Sequence, residues 1–188
     1  MNGYVLLRTL LGRLFAGALL AFPFFCPSAF AGDFGREARI KAAVVYKLAK
    51  FVEWPAISFE HALSPLRFCV LGNAPLIDAL QSATGRTVRD HPVSVSRIDD
   101  LSADERCHLV YVSRNQQQRL PAILAMLDDR PVLSVSEIED FAQHGGIVGL
   151  IRRGTRLGFQ VNVGSAQRAG LVVSAPLLEL AEVIGRGF

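Results

Sequence analysis

The chain has 188 residues, enough for one domain of ordinary size. Its formal net charge is +3, from 20 basic and 17 acidic residues, and residues 1–31 hold two of the arginines, Arg8 and Arg13, and no acid, so removing them leaves 18 against 17. A balance so close to neutral, with no basic run longer than Arg152–Arg153, gives no argument for a nucleic-acid binder.

Residues 1–31 read as a secretory signal. Arg8 and Arg13 supply the positive end, Leu14–Phe25 the apolar stretch, and Ala29–Phe30–Ala31 a small-x-small cleavage site, with the cut expected after Ala31. The competing reading is an uncleaved anchor. The apolar stretch is short for the ~20 residues of a span, and Pro23 and Pro27 interrupt it. Cys26 lacks the small preceding residues of a lipoprotein signal, because Phe24 and Phe25 stand there. Residues 32–188 are expected to form a single domain that can bury most of its apolar surface without a metal.

The stretch Lys41–Pro55, KAAVVYKLAKFVEWP, predicts most of the first helix. Ile40, Val44, Leu48 and Phe51 recur at helical spacing, with Val45, Ala49 and Val52 widening the stripe. Lys41, Lys47, Lys50 and Glu53 fall mostly on the other side. Pro55 disfavours the helical region for Trp54, so the helix is expected to stop there. Tyr46, Phe51, Trp54 and Pro55 form an aromatic cluster at that end. It reads either as a plug in the core or as an interface, since exposed Trp and Tyr favour interfaces.

Beyond a loop at 58–65, Leu66–Leu71 is an apolar run of strand length closed by Gly72–Asn73, and a short helix is expected over 75–82. Val93–Arg97 alternates like a strand. Ser102 with Glu105 fits a capping box. Cys107–Val112 and Val132–Val135 read as buried strands around an amphipathic helix over 115–127, whose first turn Pro121 weakens. Ser136 with Glu139 suggests a helix running to about Gln143, ended by Gly145–Gly146. Ile147–Ile151 and Leu157–Val163 read as a β-hairpin turning at Gly154. A short helical turn, stopped by Gly170, precedes a last helix from Ala175 to Ile184, capped by Ser174.

Export leaves Cys69 and Cys107, each in a strand-like run, in a compartment that permits disulfides. Their spacing suits neither a redox CxxC nor a zinc site. They read as a bridge or as two buried free thiols. A bridge requires Cα atoms within ~7 Å, which would set the two strands side by side.

Several segments carry a resemblance. Lys41–Pro55 is similar to KAAFLYNFAKFVEWP, the opening signature of the YfiR-like family of small periplasmic proteins. Arg67–Leu76 and Gly145–Ile151 resemble that family's first strand and a late strand. Leu157–Val183 resembles its ending, FEINLAAAERAGLKISSKLLRLA. The likeness covers nearly all of residues 32–188. It implies a periplasmic location and supports a Cys69–Cys107 disulfide, because members carry a Cys pair at matching places. Some members have a second pair nearer the end, which is absent here.

The architecture expected is α/β: a doubly wound, mostly parallel sheet of five to six strands, helices on both faces, and a C-terminal β-hairpin as its edge. With the disulfide joining the strands at Cys69 and Cys107, the strand at Val93 is displaced outward and the order begins 2-1-3-4.

The sequence holds no GxSxG elbow, Walker loop, GxGxxG or HExxH. His61, His91, His108 and His144 have no metal spacing, and Asp99–Asp100 and Asp128–Asp129 read as solvated turns. No enzyme, cofactor or metal is expected. A doubly wound sheet offers a crevice at the carboxyl ends of its strands, marked here by Gly72, Asn73, Ser113, Arg114 and Ser136. Turn and cap chemistry accounts for most of these residues. Arg114 is the exception, because a cation at a helix start opposes the macrodipole and could hold an anion.

The resemblance implies a repressor of an inner-membrane diguanylate cyclase, acting from the periplasm, often with an outer-membrane lipoprotein as antagonist. No nucleic-acid partner is expected, and a homodimer stays open. The alternative is a small-molecule-binding sensor feeding a histidine kinase or transporter.

Overall fold

The computed structural model describes residues 31–102, 106–154 and 156–185. The export signal read over residues 1–31 lies outside the described residues except for Ala31, and so does Glu105 of the Ser102–Glu105 capping box. Among the described residues, no helix is long and apolar enough to cross a membrane.

Four strands build the centre of the sheet. Strands β2 (Leu66–Leu71), β4 (His91–Ile98), β5 (Leu109–Val112) and β6 (Leu133–Ser136) run parallel in the order β4-β2-β5-β6. Because successive side chains point to opposite faces, β2 and β5 supply both layers of core. Leu66, Phe68 and Val70 of β2, with Leu109, Tyr111, Leu133 and Val135, pack against helix α1 (Ala31–Lys50) and α2 (Leu76–Gln81). Cys69, Leu71, Val110 and Val112 face the other way, onto Leu120, Ile123 and Leu127 of α3 (Leu120–Leu127) and onto Ile138 and Phe141. Burial on both faces is why β2 and β5 read as apolar runs, whereas the partly exposed β4 alternates.

The sheet is larger than expected, with eight strands rather than five or six. A two-residue strand β3 (Thr87–Val88) turns back antiparallel onto β4. On the other side β7 (Val148–Arg153) lies parallel to β6 and antiparallel to β8 (Arg156–Asn162). The hairpin is not the edge. After α4 (Val163–Arg168), β9 (Val172–Val173) and α5 (Ala175–Leu180), the chain adds β10 (Glu182–Ile184) parallel to β8. The last helix therefore stops at Leu180 instead of continuing to Ile184. Apolar residues compatible with a helical face are drawn into strand by the unpaired edge of β8, a demand that no local pattern reports.

Three further elements differ from expectation for local reasons. α1 ends at Lys50, four residues before Trp54, because Val52–Glu53 forms strand β1 against Val172–Val173 and the Ser174 amide donates to the Phe51 carbonyl at 2.9 Å. Its buried stripe is Ala38, Ala42, Val45, Leu48 and Ala49, and Ile40 is 46 % exposed. The stretch 114–119 is a 3-10 helix, and α3 begins only at Leu120 with Pro121 in its first turn, where a missing N–H costs nothing. Residues 139–145 are turns rather than a helix. There the Ser136 hydroxyl accepts from the Ile138 amide at 3.0 Å and donates to the Val112 carbonyl at 2.7 Å, tying the chain to the sheet instead of opening a helix.

Candidate functional site

At the carboxyl ends of the strands, most of the predicted crevice residues are engaged by neighbours outside the predicted set. Gly72 takes φ +84, open to glycine at little cost. A Cβ there would lie 2.6 Å from Gln116 Nε2 and 2.7 Å from Asn115 Oδ1, so the 3-10 helix sits directly on it. The Asn73 amide donates to Asn115 Oδ1 at 3.4 Å. The Ser113 hydroxyl is buried and has no partner among the described residues. Arg114 does hold an anion, and it is the chain's own: its guanidinium lies 3.3 Å from Glu137 Oε2.

Glu137 is the centre of a network that the sequence reading missed. Lys41 Nζ donates to Glu137 Oε2 at 2.5 Å and lies 2.6 Å from Glu37 Oε1, while Arg152 lies 2.7 Å from Glu37 Oε2. The Tyr111 hydroxyl donates to Glu137 Oε1 at 3.2 Å. Burial, and next Glu137, push the Tyr111 phenol well above its usual range, so it stays a donor. Hydrogen bonds from Lys41 and Arg152 hold the Glu37 carboxyl below its ordinary value. The sequence carried a sign of this. Lys41, Val45 and Leu48 share one helical face, so Lys41 belongs to the buried stripe, where a cation requires an acid.

The amino end of the sheet carries the aromatic residues. Cys69 and Cys107 are joined by a disulfide, with Cα atoms 5.9 Å apart. His108 follows Cys107 and is buried. Its Nδ1 accepts from the Arg67 amide at 3.0 Å, and its Nε2 lies 3.0 Å from the Ser58 carbonyl. An acceptor at Nδ1 fixes the proton on Nε2, which donates to Ser58. The Trp54 indole donates to the His108 carbonyl at 2.9 Å. Phe59 stacks between two imidazoles, with centroids 3.8 Å from His91 and 4.6 Å from His108.

This aromatic strap separates two clefts. One, of about 190 Å³, includes Trp54, Phe59, Val88, Arg89 and His91. The other, of about 320 Å³, includes Ile57, Phe59, Arg106, His108 and Pro131. Tyr46 reaches the same β3 turn, its hydroxyl donating to the Thr87 carbonyl at 3.1 Å. Tyr46, Phe51, Trp54 and Pro55 are all half-buried. Exposed apolar groups nearby include Ile57, 91 % exposed, and Leu63, 72 % exposed. Sequence reading named the Trp54 cluster but missed Phe59 and His91, which lie in a loop and at a strand start with no periodic signal.

The family model described as YfiR/HmsC-like matches residues 38–182. The chain belongs to the YfiR/HmsC-like family. The match runs from the second turn of α1 to the first residue of β10, so it takes in both ends of the sheet. The YfiR-like signature at Lys41–Pro55 thus lies within the match, and here it is shared between a helix, a strand and the Trp54 turn.

Two predictions arise at the amino end. Trp54→Phe keeps the ring contacts and removes the indole donor to His108. It is expected to lower unfolding free energy by about 1 kcal/mol, read by urea denaturation; a neutral change would show that the hydrogen bond contributes nothing net. The second concerns pH. Burial lowers the His108 pKa from 6.5; the hydrogen bond to Ser58 opposes the shift, and Arg67 and His91 add to it. A group whose folded pKa is depressed takes up its proton more readily when unfolded. Its contribution is therefore complete above about pH 6.5 and is lost as pH falls toward the folded value, by at most about 1.4 kcal/mol per pH unit. Thermal melts from pH 7.5 to 5 are expected to show this slope, and His108→Gln is expected to flatten it. An unchanged slope in that variant would assign the loss to another group.

Proposed function

We propose that this protein is a periplasmic negative regulator that binds the periplasmic part of an inner-membrane diguanylate cyclase and so lowers cyclic-di-GMP and biofilm formation. The observation that carries the reading is membership of the YfiR/HmsC-like family across residues 38–182. An outer-membrane lipoprotein that competes for the regulator belongs to the same reading. The amino-end surface supports it chemically: Ile57 and Leu63 project beside the half-buried Trp54 and Phe59, and solvent-exposed apolar groups beside aromatics favour protein contacts. Contact from outside the membrane controls an enzyme only by binding one conformational state better than another. A tenfold restraint requires about 1.4 kcal/mol of differential affinity, within reach of a modest interface.

Deleting the gene is expected to raise cyclic-di-GMP and biofilm and to lower motility. Ile57→Asp with Leu63→Asp is expected to reproduce the deletion while leaving the melting temperature unchanged. Unchanged cyclic-di-GMP after deletion, with the cyclase expressed, would overturn the reading in favour of a small-molecule sensor feeding a kinase or transporter.

A further inference from the structure

We propose that the exposed face of α1 is a docking surface for an anionic phospholipid bilayer. Arg36, Arg39, Lys47 and Lys50 are exposed along this helix, spanning about 21 Å at the helical rise. The belt is extended on both flanks. Beside the carboxyl end of α1, Lys50 and Arg86 lie over the Tyr46 ring, 5.0 and 5.8 Å from its centroid. Beside the amino end, Arg36 and Arg156 share a cleft of about 330 Å³ with Ile40 and Leu157.

The contrast with the rest of the chain gives the belt its meaning. Elsewhere arginines are paired with carboxylates: Arg97 with Asp99, Arg106 with Glu60, Arg114 with Glu137, Arg119 with Asp100, Arg153 with Glu182 and Arg168 with Asp128. Among the described residues, no carboxylate lies within ion-pair distance of Arg36, Arg39, Lys47, Lys50, Arg86 or Arg156, while Glu37 and Glu53, at the borders, are already paired with Arg152 and Arg89. Residues 32–188 are nearly neutral in sum, so the surplus on this face is segregation rather than overall charge.

The shape selects the occupant. The cations are spread along a convex helix and both its flanks, and a planar anionic surface can meet them together, each Lys or Arg adding to the attraction. Ile40 and the Tyr46 ring lie among them, an apolar and an amphipathic group suited to headgroup depth. Docking would hold the protein near its membrane partner and leave the amino-end clefts to engage it. The inference concerns this chain alone and does not depend on which enzyme it restrains.

Protein purified from the periplasm is to be sedimented with vesicles of phosphatidylglycerol and phosphatidylcholine, and with phosphatidylcholine alone. Binding is expected only to the anionic vesicles, fading as salt shortens the Debye length from about 30 to about 8 Å. Arg39→Glu with Lys47→Glu is expected to lower vesicle affinity at least tenfold. The same charge change placed elsewhere, Arg106→Glu with Arg168→Glu, is expected to cost less than about threefold. No binding at low salt, equal binding to neutral vesicles, or equal loss in the two double variants would overturn the proposal. Binding of soluble polyglutamate without vesicle binding would also overturn it and give the face to an acidic protein.

Discussion

Glu137→Ala is expected to lower the unfolding free energy by about 3 kcal/mol, the low end of the range for breaking a buried ion pair. The Lys41 and Glu137 side chains are 13 % and 17 % exposed, so the loss leaves an ammonium and the Tyr111 hydroxyl short of a partner in an apolar setting. The low end applies because Lys41 keeps Glu37 at 2.6 Å. Arg114→Ala touches the same carboxylate from a side chain 70 % exposed, and is expected to cost under about 1 kcal/mol, as surface pairs do. Urea unfolding of both variants decides the matter. Equal losses would mean that the network is solvated and that burial has no bearing on its strength.

Replacing both cysteines, Cys69→Ala with Cys107→Ala, is expected to cost more. The bridge closes a separation of 38 residues, for which the chain-entropy model gives about 4 kcal/mol. For a domain of this size that corresponds to a fall in melting temperature of about 8–16 °C. It is a large share of the 5–15 kcal/mol typical of a whole domain. Exported protein is to be melted with and without reductant, after alkylation and mass spectrometry have established the thiol state. Thiols that react before any reductant is added, or a melting temperature indifferent to reduction, would dismiss this account. The far-ultraviolet spectrum is expected to stay native-like at low temperature, because β2 and β5 remain paired through Phe68–Leu71 and Leu109–Val112.

The centre of the fold was legible because its signals are local. Leu66–Leu71 and Val132–Val135 are apolar on both faces, and only a strand covered on two sides needs that. The displacement of the Val93 strand followed from the cysteine pairing, and β4 does lie outside β2. The helix over 115–127 was half legible: Leu120, Ile123 and Leu127 are buried as their spacing implies, while the turn before Pro121 tightens to 3-10 geometry. What escaped was pairing at a distance. β1 and β9 are two residues each, too short for any period, and exist because Val52 and Val173 meet across the chain. At the carboxyl ends, Arg114 lies beside the carboxylate of Glu137, which was hidden beside the capping pattern of Ser136 and Glu139. Lys41 was misplaced because the apolar stripe was centred on Ile40 rather than on Val45.

The strand β10 has a consequence for handling the protein. Its three residues cover Gln160, Val161 and Asn162 of β8, and the Gly185 carbonyl accepts from the Gly164 amide at 2.8 Å, latching the strand to the start of α4. A version ending before Glu182 would present β8, seven residues long, as an open template for the same strand of another molecule. Such truncation is a route to runaway self-association, through strand exchange between neighbours, even with every core residue intact. The Arg153–Glu182 pair guards against it in the whole chain by placing charge on the outermost strand.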